Sequence, residues 1–419
     1  MSNMLKNKKR ILIIGANFSN KGAEAMLKTV REQFIAQHGD VACYMLCRNY
    51  ERDLAIKNEF IPVCRKRQSR LVRKLKSYSY RAKSKIYRFI YGKNKPWYFA
   101  FPFEEIHRVI GELDAVLDVS GFAYADSWGA PMIQETNRLV DMCKARGVRF
   151  YFLPQAWGSF EQPEVARSLR KMLPKADKYY ARDVVSRRHI AGALGVDDAV
   201  VPIAHDIVFS FRGNHSTGHV NGKLKRTGNR MLIGISPNLR VYEKAVGVDL
   251  ENQYSQLLIK VIRYCVEKLN ADVLLIPNET FPHQTTQRDD RYLCRLLYDH
   301  INQSDRCLIV DRYASAEEIK SYIGQLDVLV GSRFHALIFG FLQAVPVMAI
   351  SWSHKYRELF ALFEMEEFVL ESDAINDISV VLAKLEYLIT ERKNVKERIT
   401  KKLPALESDI DGLFRQLSV

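Results

Sequence analysis

No CxxC pair and no histidine at metal-ligand spacing occurs in this 419-residue chain, and its seven cysteines are scattered. That usage excludes a zinc ribbon or a disulfide framework and fits reduced thiols in a cytosolic compartment. Internal repeats are lacking too, which removes a solenoid. No export signal is expected either. Lys8-Lys9-Arg10 resembles the charged start of one, but the apolar run that follows ends at Gly15, far too early for a signal core. Long uninterrupted hydrophobic runs are absent. Residues 334–352 come nearest to membrane-spanning length, yet they include His335, Gln343 and Pro346 and read as helix, turn and strand. A soluble, cytoplasmic protein is expected, large enough for two or three domains.

Acidic residues are lacking where basic ones are densest. Residues 65–95 hold 13 Lys or Arg and no Asp or Glu, so a net charge of +15 leaves only +2 for the rest of the chain. Within that insert Leu71, Leu75, Tyr78, Ala82, Ile86 and Phe89 recur at helical spacing, and an aromatic run over 96–103 follows. A basic amphipathic segment with trailing aromatics suits an anionic membrane surface, each basic residue contributing on the order of 1 kcal/mol. A solvated basic face with its stripe packed on the domain accounts for the same pattern equally well. Nucleic acid is not expected as a partner, because no recognition-helix or RNA-binding signature accompanies the charge.

Elsewhere short apolar strands alternate with amphipathic helices, the pattern of parallel α/β sheets. Strands are expected at residues 10–15, 41–46, 115–119, 149–153, 178–181 and 199–202, then at 231–236, 273–277, 307–310, 326–330 and 347–351. Ser315-Ala316-Glu317-Glu318 carries a capping-box pattern. The expected organisation is an N-terminal Rossmann-like domain over 1–211, containing the basic insert 65–95. A linker over 212–229, a C-terminal Rossmann-like domain over 230–371 and a helical extension over 372–419 follow.

The most informative stretch is Gly331-Ser332-Arg333-Phe334-His335, which ends an apolar strand and begins an apolar helix. A parallel sheet opens its binding crevice at such a turn, and a helix N-terminus there presents free backbone N–H groups to an anion. Arg333 adds a planar fork for phosphate or carboxylate, and His335 a group that exchanges protons near neutral pH. Residues two apart on a regular helix diverge, so the pair converges only if Arg333 still belongs to the turn. The plainer alternative is a paired surface arginine and a satisfied core histidine.

Two further segments make the pattern specific: Asn20-Lys21-Gly22-Ala23-Glu24 after the first strand, and Pro346 through Lys355 near the last. The first is neither GxGxxG nor a Walker loop. With these three motifs, and over residues 11–363, the chain resembles the polysaccharide pyruvyl transferase family. The resemblance implies a GT-B-like fold, two Rossmann-like domains facing across a cleft. It also implies transfer of the enolpyruvyl-derived group of phosphoenolpyruvate onto a sugar diol, giving a ketal and phosphate. The basic insert and the single-glycine loop Ser120-Gly121-Phe122-Ala123-Tyr124 depart from the family pattern.

A donor with a phosphate and a carboxylate a few ångströms apart needs at least two cations. Arg333, Arg240 after the strand 231–236, Ser332 and Lys355 after the strand 347–351 are the expected phosphoenolpyruvate-binding residues, with His335 as general acid. On the acceptor side Asn17, Asn20, Glu24, Asp118 and Asp126 lie near first-domain strand ends, with caps and structural ion pairs the competing explanation. Trp157, Arg182-Asp183 and His205-Asp206 are weaker candidates. The scheme calls for no metal and no cofactor beyond the donor substrate. The expected partners are phosphoenolpyruvate, a glycan or lipid-linked oligosaccharide acceptor, and an anionic membrane surface through 65–103 at the inner face of the plasma membrane. Two alternatives remain open: a GT-B glycosyltransferase using a sugar nucleotide, and a noncatalytic membrane-docking scaffold of the same fold.

Overall fold

Runs without polar alternation, such as Ile11-Leu12-Ile13-Ile14 and Val347-Met348-Ala349-Ile350, become central strands covered on both faces, as parallel sheets require. A computed structural model describes residues 8–64, 103–213, 230–282, 289–301, 305–353, 355–371 and 377–419. The basic insert 65–95, the aromatics through residue 102 and nearly all of the linker expected at 212–229 lie outside the described residues.

Twelve strands form two parallel six-stranded sheets. The first contains β1 (Lys9–Ile14), β2 (Val41–Leu46), β3 (Ile61–Val63), β4 (Ala115–Asp118), β5 (Arg149–Gln155) and β6 (Lys178–Ala181), in the order β3-β2-β1-β4-β5-β6. The second contains β7 (Leu232–Ser236), β8 (Asp272–Leu275), β9 (Cys307–Ile309), β10 (Val328–Gly331), β11 (Val347–Ile350) and β12 (Val369–Leu370), in the order β12-β11-β10-β7-β8-β9. Both orders are those of a doubly wound Rossmann sheet, so strand direction of travel reverses between β1 and β4 and again between β7 and β10. The expected strand at 199–202 is corrected. Asp197 caps a 3-10 turn over Asp198–Val200, and only an isolated bridge, Ala181 to Ile203, remains.

The chain divides into two compact units: residues up to Asn17 with Arg31–Ala204 and Arg415–Val419, and Phe18–Val30 with His205–Phe414. This differs from the expected boundary at 211/212 in one consequential way, since the Phe18–Val30 segment clusters with the second unit. Backbone bonds from Lys21 N to Asn278 O (3.0 Å) and from Thr280 N to Ser19 O (2.8 Å) hold it there. Ser315 forms the expected capping box with Glu318.

After β12 a single 38-residue helix, Ile378–Arg415, supplies the helical extension. Val381, Leu385, Leu388, Val395, Ile399, Leu406, Ile410 and Leu413 form its buried stripe at helical spacing. Lys402 and Arg398 pair with Glu364 (2.5 Å) and Glu367 (3.0 Å). Asp411 accepts from Ser210 Oγ (3.1 Å), and Asp409 lies 3.7 Å from His205 Nε2. Burial holds the His205 imidazole below its ordinary 6.5 despite that carboxylate. A depressed histidine contributes stability that is complete above pH 6.5 and lost as pH falls through its folded value. In urea melts between pH 7 and 5, His205→Gln is therefore expected to lose less stability on acidification than the wild type. Parallel curves for the two would contradict this.

Candidate functional site

In the second unit the two loops that leave the switch point are tied to each other. Ser332 N donates to Ser236 O (3.0 Å), and Asn238 Nδ2 donates to Ser332 O (2.8 Å). Tyr254 donates its hydroxyl to Ser332 Oγ (2.8 Å) and Tyr356 donates to Ser332 O (2.6 Å). Ser332 is 1 % exposed with its side chain engaged. The expectation that it binds the donor is corrected: it braces the turn.

Arg333 is the N-cap of the helix Phe334–Leu342, with extended backbone at φ −98° and ψ 116°. It thus belongs to the turn, and the helical divergence from His335 does not apply. Its guanidinium points inward, Nη1 lying 3.0 Å from Glu279 and Nη2 bonded to Asp290. Asp290 also accepts the backbone N–H groups of Leu239 (3.2 Å), Asn278 (3.1 Å) and Glu279 (2.7 Å). Burial pulls the Arg333 pKa down, but Asp290 and Glu279 outweigh it and hold the group above its ordinary value. The expected open fork is corrected: an unpaired buried guanidinium would cost several kcal/mol, so the fold encloses it between two carboxylates. Its Nε finds no hydrogen-bond partner among the described residues.

His335, the second residue of the same helix, faces the loop that follows the first strand. The ring lies so close to Gly22 that a Cβ at that position would sit 2.0 Å from His335 Cγ and Nδ1. His335 Nε2 is 3.7 Å from Asp206 Oδ2, and Asp206 in turn accepts from Val208 N (3.0 Å). Phe334 stands edge-on to the imidazole with centroids 5.4 Å apart. The loop that presents Gly22 is held by Asn20, whose Oδ1 accepts from Gly22 N (3.0 Å) and Ala23 N (3.3 Å). Asn20 is therefore a helix cap in the second unit, correcting its acceptor-side assignment.

Glu24 is corrected likewise. It is 1 % exposed and clasped by Lys21 (3.0 Å) and Lys28 (2.7 Å), while Lys28 also reaches Glu317 (2.7 Å). Burial would raise the Glu24 pKa, yet the two ammonium groups hold it below the usual range. Lys21 is itself fully buried, donates to Phe18 O (2.7 Å) and lies 3.9 Å from the centroid of the Tyr313 ring.

Two expected donor cations are placed differently from each other. The Arg240 side chain is 47 % exposed and pairs with Glu243 (2.9 Å), a surface ion pair rather than a lining group. Lys355 lies among aromatic rings, 4.4 Å from the Trp352 centroid and 5.2 Å from that of Phe334. Glu279 and Asp290 were not anticipated. Glu279 is the fourth residue after β8, so the rule that favours strand ends could have found it.

At the first unit's switch point Gly15 has φ +86°, and a Cβ there would meet Ser120 Oγ at 2.1 Å. Asp118 is fully buried and accepts from Ser120 N (2.8 Å), Ser120 Oγ (2.5 Å) and the Tyr124 hydroxyl. Burial pushes its carboxyl up despite those bonds. Asp126 accepts from Ser159 Oγ (3.0 Å), Glu161 N (2.8 Å) and Gln162 N (3.2 Å). Both acceptor-side assignments are thereby corrected to loop bracing. Asn17 is half-buried at the end of the first unit's opening segment. Trp157, 1 % exposed, stacks on Tyr124 at 5.0 Å and is packing. Among the described residues no group of three His, Cys, Asp or Glu is placed to hold a metal, and no helix is long and apolar enough to cross a membrane.

The fold is GT-B-like, shared with solved sugar-nucleotide proteins at low identity. UDP-GlcNAc 2-epimerase from Neisseria meningitidis, bound to UDP-GlcNAc, is 8 % identical with a TM-score of 0.57, covering 97 % of this chain and 98 % of that one. HepE from Anabaena, in complex with UDP-glucose, is 12 % identical with a TM-score of 0.56, covering 97 % and 100 %. Residues 20–354 match the family described as polysaccharide pyruvyl transferase, and the chain belongs to that family. It is also 20 % identical over 294 residues, 69 % of each chain, to the amylovoran biosynthesis protein AmsJ of Erwinia amylovora.

Proposed function

We propose that the protein moves pyruvate from phosphoenolpyruvate onto a sugar diol of a surface polysaccharide precursor, either a free glycan or a lipid-linked oligosaccharide. The observation that carries this reading is the His335 imidazole, seated on Gly22 with the Asp206 carboxylate at 3.7 Å and Arg333 fixed at the head of its helix. His335 gives a proton to the methylene carbon of the enol phosphate, and C2 gains oxocarbenium character. One sugar hydroxyl bonds to C2, its proton passing to the His335 imidazole left neutral by the first step. The C2–O bond to phosphate then breaks, phosphate leaves with the electron pair, and the second hydroxyl closes the ketal as its proton passes to a base. Phosphoenolpyruvate is the donor substrate and the scheme uses no other cofactor. The reaction belongs in the cytoplasm, at the inner membrane face where the acceptor is lipid-linked.

The test incubates the full-length protein with phosphoenolpyruvate and candidate glycans. A mass gain on one glycan, matched by acceptor-dependent phosphate release, is expected. Because the proteins of similar fold were solved with UDP-GlcNAc and UDP-glucose, a sugar-nucleotide arm belongs beside it. Saturable binding of a nucleoside diphosphate sugar, with none of phosphoenolpyruvate, would overturn the proposal in favour of glycosyl transfer.

A further inference from the structure

Of the seven cysteines six are buried, and the exception is Cys47, half-buried just beyond the end of β2. Its neighbour across the sheet is another cysteine. β2 and β3 pair in parallel through Tyr44 with Ile61, Met45 with Pro62 and Leu46 with Val63. The bond from Cys47 N to Val63 O (3.1 Å) carries the pairing one residue further, which sets Cys47 beside Cys64. Registered residues of adjacent strands present their side chains to the same face, and the strand spacing of about 4.8 Å falls inside the roughly 4.4–6.8 Å between Cα atoms that a disulfide spans. Both are free thiols, and the Cys47 thiol hydrogen-bonds to Cys64. Burial, with Cys64 and Glu51 close by, pushes the Cys47 thiol up, so Cys47 keeps the proton it shares. Arg52, first residue of the helix Arg52–Lys57 between the two strands, donates from Nη1 to Cys64 Sγ (3.7 Å). One sulfur therefore faces both a guanidinium and a thiol proton, surroundings that suit a cysteine carrying negative charge.

We propose that Cys47 and Cys64 form a reversible thiol–disulfide site at the edge of the first sheet, closed by a small-molecule disulfide and reopened by small-molecule thiols. In closing, Cys64 loses its proton to water and attacks one sulfur of the small disulfide. The S–S bond of that molecule breaks, and the first small thiolate leaves with the electron pair and takes up a proton. Cys47 then loses its proton and attacks Cys64 Sγ, expelling the second small thiolate, which is protonated in turn. The two protein thiols are oxidised by two electrons, and the small disulfide is reduced to two thiols. The bond pins the end of β3, an edge strand of three residues that contains Pro62 and is paired on one side only. Cys294 and Cys307 supply the contrast. They also lie near each other, yet both are 0 % exposed and out of reach of an oxidant.

The test equilibrates the full-length protein with reduced and oxidised glutathione at ratios from strongly reducing to strongly oxidising, then alkylates it in acid-quenched samples for intact mass and peptide mapping. The expected result in the wild type is a Cys47–Cys64 linkage with the other five thiols alkylated, no retained glutathione and full reversal by dithiothreitol. Cys47→Ser is expected to stop at one glutathione on Cys64, and Cys64→Ser to form no internal bond. Arg52→Met should close about three- to tenfold more slowly, since the attacking sulfur has lost its cation. Oxidised wild type should unfold at a higher temperature than reduced wild type, a difference absent from Cys47→Ser. Cys47 is half-buried, so this variant tests the bond without placing a hydroxyl in the core. Seven alkylated thiols under oxidising conditions, glutathione retained on the wild type, or a bond joining any other pair overturns the site.

Discussion

His335→Ala is expected to lower acceptor-dependent phosphate release by about 100- to 10,000-fold, the range that a positioned proton donor contributes, with little change in the unfolding midpoint. Gly22→Ala is expected to approach that loss while leaving the imidazole itself in the chain. Position 22 lies in the first turn of the helix Lys21–His38, where alanine on propensity alone would stabilise by about 1 kcal/mol. The added methyl, however, would sit 2.0 Å from His335 Cγ and 2.5 Å from its Cβ. Those atoms are near the root of the side chain, so the ring cannot simply swing its tip aside. Overpacking of this kind costs about 1–3 kcal/mol, and a shift of a reacting group by roughly 1 Å costs about 100-fold in rate. The two variants are distinguished by adding Gly22→Ser, which clashes equally and should behave like Gly22→Ala. Wild-type phosphate release from Gly22→Ala would remove the contact between the two loops from the explanation.

The dependence of one loop on the other was only half legible in the sequence. Central strands declared themselves because a parallel sheet buried on both faces demands unbroken apolar runs, as at Ile11-Leu12-Ile13-Ile14. Two of the four edge strands did not: β3 is three residues long and contains Pro62, and β12 is two residues long. His335 was legible for a related reason, since a strand-to-helix turn at a switch point is a place where chemistry is commonly sited. What local reading could not supply was the identity of the partners. The Asp290 and Glu279 carboxylates that close on Arg333 come from a different strand end and helix. The attachment of Phe18–Val30 to the second unit rests on bonds from Lys21 N to Asn278 O and from Lys28 to Glu317. Neither is encoded in the composition of the segment itself. Asp118 and Glu24 show the same limit from the other side: an acid near a strand end looks available until the hydroxyls or ammonium groups that occupy it are placed in three dimensions.

Glu24→Ala is expected to destabilise the protein by about 3–5 kcal/mol, because it leaves Lys21 as a buried charge without its carboxylate. Lys21 has no route to solvent, its side chain being 0 % exposed, and the Phe18 carbonyl and Tyr313 ring offer it no compensating charge. Lys28 is less affected, since Glu317 still pairs with it at 2.7 Å. Glu24→Gln keeps the shape and loses the charge, so its cost isolates the electrostatic part. The Lys21→Met/Glu24→Leu double variant removes both charges together, and recovery of stability there would show that the penalty comes from the orphaned ammonium rather than from lost packing. The same pair sets a pH dependence. Since the Glu24 carboxyl is held below its ordinary 4.5, its contribution is complete above that pH and is lost as pH falls through the lower folded value. Urea melts of wild type and Glu24→Gln should therefore converge on acidification below about pH 4.5. A constant gap between them down to the acid limit would mean that Glu24 stabilises the helix start by shape alone. Because this pair fixes the first turn of the helix that bears Gly22, the loss of stability and the loss of His335 placement are expected to appear together in Glu24→Ala. In the Lys21→Met/Glu24→Leu variant both should recover.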